Sequence, residues 1–127
     1  MRLAKPTRIG HKAAHGKGQY YVSKKGESIW MRSSWELKTA EYLDKNNIEW
    51  KYEPESFPIQ YEVDGFIKAG TFRPDFRIEK YGKIEYWEIK GWWRDDALAK
   101  YTAFVEQYPA LVVRVLGRQE LKEENIL

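Results

Sequence analysis

Cysteine is absent from the 127-residue sequence, and that absence excludes two kinds of structure. Without thiols the chain forms neither disulfide bonds nor thiolate zinc sites. No run of eighteen apolar residues occurs either, which is the length that a membrane-spanning helix requires. The first residues do not have the composition of a secretion signal, so we expect a soluble protein of the cytoplasm.

Internal repeats and low-complexity tracts are also absent, and the remaining composition suits one small domain. Hydrophobic residues make up 43% of the chain and aromatic residues 16%. That content is enough for a single core in a chain of this length. We predict one domain over residues 19–127, preceded by a basic and flexible arm over residues 1–18.

Positive charge is concentrated in this arm, although the formal net charge of the chain is only +3. No acid occurs before Glu27. Basic residues without neighbouring acids suit contacts with nucleic-acid phosphates. The alternative is a disordered tail that only improves solubility. The basic residues of the predicted arm are Arg2, Lys5, Arg8, Lys12 and Lys17.

Two β-like segments, residues 71–79 and 83–91, are joined by a short polar linker that contains Tyr81 and Gly82. Glycine tolerates the positive φ of a tight turn, so this linker predicts an antiparallel hairpin. The predicted register pairs Asp75 with Glu88, Arg73 with Lys90 and Phe76 with Trp87. Directly paired Cβ atoms lie only about 5 Å apart, which brings two carboxylates together.

This pair of carboxylates, Asp75 and Glu88, suggests a metal site. At 4 Å and an effective dielectric near 20, two such charges repel by up to about 4 kcal/mol. A divalent cation removes the repulsion, and oxygen ligands without cysteine favour a hard ion such as Mg²⁺. Lys90 shares the face of Glu88 because side chains alternate along a strand. The alternative is a solvated sheet face that carries mixed charges.

Glu36 is a candidate third acid of this site. A helix is predicted from residue 35 to about residue 46, with Ser34 as its cap. Within it, Glu36 lies on the same apolar face as Ala40 and Leu43. A buried carboxylate must find a cation or become protonated. Alternatively, Glu36 only stabilises the first helical turn, by roughly 0.3–1 kcal/mol through the helix dipole.

Two further β regions complete the first half of the chain. Residues 19–23 and 28–32 flank a Lys-Lys-Gly-Glu segment and predict an N-terminal hairpin. Residues 50–63 predict one bent strand, broken at Pro54 and Pro58. The surface of the N-terminal hairpin is one candidate for a dimer interface, and the surface of the first helix is the other.

Three short strings of the sequence resemble motifs of the PD-(D/E)XK nuclease superfamily. They are Arg32-Ser33-Ser34-Trp35-Glu36, Arg73-Pro74-Asp75-Phe76 and Trp87-Glu88-Ile89-Lys90-Gly91. The resemblance covers residues 33–116 and implies an α/β (α+β) fold. Its restriction-endonuclease-like core, of order αβββαβ, would have a mixed central sheet flanked by helices. Asp95 would then cap the second helix, and residues 111–116 would form a buried parallel strand.

The resemblance also implies a role for each matched residue. The catalytic set would be Glu36, Asp75, Glu88 and Lys90, with Lys90 orienting or helping to deprotonate the attacking water. The metal would be bound by Asp75, Glu88, Glu36 and Ile89. DNA would be contacted by Arg32, Ser33, Ser34, Arg73 and Arg94. The charge of the arm, rather than the resemblance, adds Lys5, Arg8, Lys12 and Lys17 to the expected DNA contacts.

Within the superfamily, the three strings look most like small phage-type endonucleases, including Holliday junction resolvases. The implied protein is a Mg²⁺-dependent, structure-selective endonuclease of DNA recombination, for which Mn²⁺ is a substitute ion. It would act as a homodimer on four-way junctions in the host cytoplasm, without a membrane or a small-molecule cofactor. The alternatives are a nonspecific or sequence-selective duplex endonuclease, of restriction, homing or repair type, and a DNA-binding module without catalysis.

Overall fold

A computed structural model describes residues 18–127 of the chain. In chain order its elements are β1 Gln19–Val22, β2 Ser28–Met31, α1 Ser34–Lys45, β3 Glu49–Tyr52, β4 Phe57–Val63, β5 Phe66–Phe72, β6 Phe76–Lys80, β7 Lys83–Ile89, α2 Asp95–Gln107, β8 Val113–Leu116 and α3 Arg118–Glu123. The described part is thus mixed α/β. None of its helices is long and apolar enough to cross a membrane. The arm residues Lys5, Arg8, Lys12 and Lys17 lie outside the described residues.

The central sheet has four strands in the order β3-β6-β7-β8. Three of these strands form antiparallel pairs, whereas β8 runs parallel to β7 and places Leu116 beside Ile89. The expectation of a mixed sheet is confirmed. Two separate hairpins, β1-β2 and β4-β5, complete the β structure of the described residues.

The hairpin β6-β7 has the predicted register, with Phe76 paired with Trp87. Its turn is at Tyr81 and Gly82, which both have positive φ angles, 54° and 74°. This pair of left-handed residues matches the right-handed twist of the two strands. The first strand of this hairpin was predicted to begin at residue 71, which is too early. Thr71 belongs to β5, and the pairing of β6 with β7 begins only at Phe76.

The predicted bent strand over residues 50–63 is wrong. It is two strands in different sheets: β3 joins the central sheet, and β4 pairs with β5. The chain breaks between them because Glu53 takes a left-handed conformation, with φ of 45°, directly before Pro54. The turn between β4 and β5 is Asp64-Gly65, in which both residues have positive φ.

Both predicted helix caps are also wrong by one residue. The cap of α1 is Ser33, whose extended backbone lets its Oγ accept a hydrogen bond from the Glu36 amide at 3.2 Å. Ser34 is already the first residue of the helix. The cap of α2 is Arg94, which makes no side-chain capping bond, and Asp95 lies in the first turn. An acid there still interacts favourably with the helix dipole.

Apolar side chains pack on both faces of the central sheet. Trp87 and Ile89 of β7 belong to one cluster, which α1 and α3 cover through Leu43 and Leu121. Neighbouring residues of a strand point to opposite faces, and Tyr86 accordingly contacts Phe57 on the other side. There α2 and the β4-β5 hairpin form a second cluster. The face of β7 that carries Glu88 is therefore covered rather than solvated.

Asp44, near the end of α1, joins the β1-β2 hairpin to α1 and β3 through hydrogen bonds. Its carboxylate accepts hydrogen bonds from the Tyr21 hydroxyl at 2.6 Å, the Lys24 amide at 2.8 Å and the Trp50 indole at 2.8 Å. Burial raises the pKa of Asp44, but these hydrogen bonds outweigh it and lower the pKa below its ordinary value. The ionised form of Asp44 therefore stabilises the fold.

We expect Asp44→Asn to lower the free energy of unfolding by roughly 1–3 kcal/mol at neutral pH, because one amide oxygen replaces a carboxylate that accepts from three donors. A carboxylate with a lowered folded pKa stabilises the fold above its unfolded value, here 3.8, and that stabilisation disappears as the pH falls through the folded value. Urea unfolding of both proteins at pH 7 and pH 3 measures this. Equal differences at the two pH values would contradict the assignment.

Candidate active site

Several chain segments meet at one end of the central sheet. β3 ends there at Tyr52, β6 begins there after Asp75, and β7 ends there at Ile89. Antiparallel and parallel pairing together bring these ends to the same edge. The hydroxyl of Tyr52 donates a hydrogen bond to Glu36, so the start of α1 lies there as well. The three acids that the sequence singled out are thus close to this sheet edge.

Asp75 and Glu88 are joined by a reciprocal set of hydrogen bonds across β6 and β7. The Ile89 amide donates to Asp75 Oδ2 at 2.8 Å, and the Asp75 amide donates to Glu88 Oε1 at 3.2 Å. Both residues are buried, with 3% and 4% of their surface exposed. Each carboxylate therefore has one oxygen held by the main chain and one oxygen left for another partner.

Burial and mutual repulsion raise the pKa values of these two acids. Burial raises the pKa of Asp75 well above its ordinary range, and the neighbouring Glu88 and Glu36 raise it further. Burial likewise raises the pKa of Glu88, to about 7, against the opposing effect of Lys90. The site as it stands has more negative charge than its surroundings stabilise, which favours a positively charged ligand.

Lys90 lies directly beside this pair. Its Nζ is 3.3 Å from Glu88 Oε2 and 5.2 Å from the ring centre of Trp93. Its amide donates to the Leu116 carbonyl at 3.0 Å, so the parallel strand fixes the main chain from which the side chain extends. Trp93 is fully buried. A single ammonium therefore stands at the edge of a largely buried acid pair.

Glu36 is held by its own set of donors. Its Oε2 accepts from the Ser33 hydroxyl at 2.9 Å, and its Oε1 accepts from the Tyr52 hydroxyl. It is buried and close enough to raise the pKa values of Asp75 and Glu88. Glu36 thus lies next to the acid pair, but both of its carboxylate oxygens already accept hydrogen bonds from neutral hydroxyls.

Arg32 and Glu53 complete the charge arrangement. The sequence offers Glu53 as a lesser candidate for the acidic cluster, but it does not predict the contacts of Arg32 with Glu53 and Asp75. One terminal nitrogen of Arg32, Nη2, is 3.3 Å from Asp75 Oδ1 and also forms an ion pair with Glu53. Glu53 is held in place because its amide donates to the Asp75 carbonyl at 2.7 Å. Arg32 was expected to contact DNA, whereas here it faces acids. The ion pair of Arg32 with Glu53 joins two segments that are distant in sequence.

The other residues expected to contact DNA occupy varied surroundings. Ser33 is buried as the helix cap, and Ser34 is half-buried. Arg73 is exposed on the segment that enters Asp75, and exposed Arg94 lies 5.6 Å from the ring centre of Trp92. Arg73 does not pair with Lys90, because the ladder ends at Phe76. These two exposed arginines lie in chain segments directly adjacent to the strand ends that carry the acids.

The donor set of the acid pair fits a hard divalent cation. Asp75 Oδ1 and Glu88 Oε2 are the two oxygens without a main-chain partner, and a cationic side chain now faces each. Ile89, the fourth expected ligand, has only its carbonyl oxygen to offer, since its amide binds Asp75. Within residues 18–127, no three acidic, histidine or cysteine side chains already surround one point. Mg²⁺ needs only one or two carboxylates, with water and phosphate oxygens for the rest.

Comparisons with known proteins do not assign this site. No protein-family model matches the chain, and no curated protein matches it. The chemistry of the site is therefore argued from its own residues. Those residues are two buried carboxylates, a lysine beside them and an arginine that neutralises one of them.

Proposed function

We propose that the protein is a Mg²⁺-dependent DNA endonuclease that hydrolyses phosphodiester bonds. One observation carries the proposal. Main-chain hydrogen bonds hold the carboxylates of Asp75 and Glu88 side by side in a buried position, and Lys90 Nζ lies 3.3 Å from Glu88. Two buried carboxylates are costly for a fold to keep, even with a cationic side chain facing each of them. Metal-assisted hydrolysis gives a reason to keep them, because it requires carboxylate ligands next to a group that positions water.

The order of the elements supports the nuclease interpretation. Without the β4-β5 hairpin, the segment from α1 to β8 has the order helix, three strands, helix, strand. The three strands and β8 form one mixed sheet, as in the core that the motifs imply. The β4-β5 hairpin is then an insertion between the first and second core strands. Fold alone does not select a function, so this agreement supports the proposal only together with the acid pair.

Each residue of the site has a defined part in such a reaction. A bound Mg²⁺ would polarise the scissile phosphate and lower the pKa of an attacking water. Asp75 and Glu88 would hold the ion through Oδ1 and Oε2, the oxygens that have no main-chain partner. Lys90 adds a point charge next to the phosphate and orients the water, and unlike arginine it can also exchange a proton. Glu36 keeps the local charge negative from its fixed position on α1.

Branched DNA and a homodimer are the proposed substrate and assembly. Symmetric cleavage of a four-way junction needs two active sites, and a two-fold dimer supplies them. The outer face of the β1-β2 hairpin supports an interface, because Tyr20, Val22 and Trp30 are 68%, 65% and 50% exposed. Exposed apolar and aromatic groups on one face are typical of the centre of such interfaces.

Cleavage of four labelled DNAs tests the proposal: a four-way junction, a linear duplex, a single strand and a flap, each with and without Mg²⁺. We expect paired symmetric nicks in the junction alone, and only with metal. Light scattering of the same sample should give the mass of a dimer. Cleavage of the linear duplex at the same rate would select a duplex endonuclease instead. Binding of DNA without cleavage under any metal condition would contradict the enzymatic function.

A further inference from the structure

The guanidinium of Arg32 lies where a metal ion bound to Asp75 would lie. Nothing in the sequence around Arg32 predicts this contact. Its Nη2 lies 3.3 Å from Asp75 Oδ1, one of the two carboxylate oxygens that the main chain leaves free. A second acid, Glu53, forms an ion pair with the same nitrogen. One guanidinium therefore neutralises an oxygen that a metal ion would need.

We propose that Arg32 is a built-in competitor of the divalent ion, which holds Asp75 in the metal-free protein and must leave Asp75 Oδ1 when the metal binds. The inference rests on the proposed metal-dependent function. It names a residue that regulates access of the ion to the site, rather than a ligand of the ion.

The main chain of Arg32 is anchored, whereas its side chain is largely exposed, and this exchange requires both. Its main chain is fixed, because the Arg32 amide donates to the Tyr52 hydroxyl at 3.3 Å and the next residue caps α1. Its side chain is 57% exposed, whereas that of Asp75 is 5% exposed. The guanidinium can thus move toward solvent without unpacking the core, while the carboxylate stays in place.

Glu53 can keep its ion pair with Arg32 after the guanidinium has left Asp75. Its amide is bound to the Asp75 carbonyl, and its left-handed backbone turns the chain at this point. An arginine that leaves Asp75 can keep its ion pair with Glu53 at the rim of the site. Release from Asp75 therefore does not force Arg32 to lose both acidic partners at once.

Calorimetric titration of the metal alone, without DNA, tests this role. We expect Arg32→Gln to bind Mn²⁺ at least about tenfold more tightly than the wild type, because a neutral side chain neither occupies the oxygen nor repels the ion. Arg32→Lys keeps the positive charge and should bind Mn²⁺ within about threefold of the wild type. Loss of packing at Arg32 would weaken metal binding, so tighter binding distinguishes competition from a merely structural role.

Lys83→Gln is the matched control, because it removes one positive charge at the far end of β7 and should leave Mn²⁺ affinity unchanged. Circular dichroism checks that each variant is folded. If the wild type binds Mn²⁺ and Arg32→Gln binds it no more tightly, the inference on Arg32 is wrong while the proposed function stands. If neither the wild type nor Arg32→Gln binds Mn²⁺, both are wrong.

Discussion

Asp75→Asn, Glu88→Gln and Lys90→Ala should each reduce DNA cleavage to background while DNA affinity is kept. The first two remove a charge from the buried pair of carboxylates, and the third removes the ammonium beside it. A metal ion contributes several kcal/mol of transition-state stabilisation, so we expect losses of about 10³-fold or more. Single-turnover cleavage of the preferred DNA at saturating Mg²⁺ measures the loss, and gel mobility shift measures affinity.

Glu79→Gln is a suitable control for these variants. Glu79 lies on β6 as well, but near the turn and exposed, so its loss changes the net charge without changing the site. Its cleavage rate should equal that of the wild type. Wild-type cleavage by Asp75→Asn or Glu88→Gln at ordinary metal concentrations would rule out the proposed site. A parallel loss of DNA affinity would instead point to a binding defect.

The sequence predicts the geometry of the acid pair because the turn between β6 and β7 and the alternation of side chains along the strands determine it. The register of β6-β7 follows from a two-residue turn, in which Tyr81 and Gly82 both take positive φ. Alternation of side chains then places Asp75 and Glu88 on one face. The periodicity of α1 likewise predicts that Glu36 is buried. These features need only the spacing of residues and the preferences of a turn.

Long-range packing explains what the sequence did not reveal. The dipeptide Asp64-Gly65 is a strong hairpin signal, but the prolines at positions 54 and 58 led to one broken strand instead of β3 and β4. Pro58 fits β4 because β4 pairs on one side only, with β5. The orientation of Arg32 depends on Glu53 from the end of β3, a contact between segments that are distant in sequence. No local pattern encodes such a contact.

The second large effect concerns the fold itself: Phe104→Ala should lower the free energy of unfolding by about 3–5 kcal/mol. Phe104 on α2 is fully buried and stacks on Phe72, with ring centres 4.7 Å apart. It also contacts Phe57, so it joins both strands of the β4-β5 hairpin to the helix. Natural domains are stable by only about 5–15 kcal/mol in total, so urea denaturation should show a large part of the stability lost.

Thr102→Ala, on the exposed side of the same helix, should change stability by no more than about 0.5 kcal/mol. A similarly small effect of Phe104→Ala would mean that the hairpin does not pack on α2 as described. Phe104→Leu keeps an apolar side chain, so we expect it to stay folded for activity assays. β5 ends at Phe72, and the chain continues through Arg73 and Pro74 into Asp75, so a loosened Phe72 would displace Asp75, a proposed metal ligand. We therefore expect Phe104→Leu to lose more cleavage activity than its folded fraction explains, because the hairpin positions Asp75.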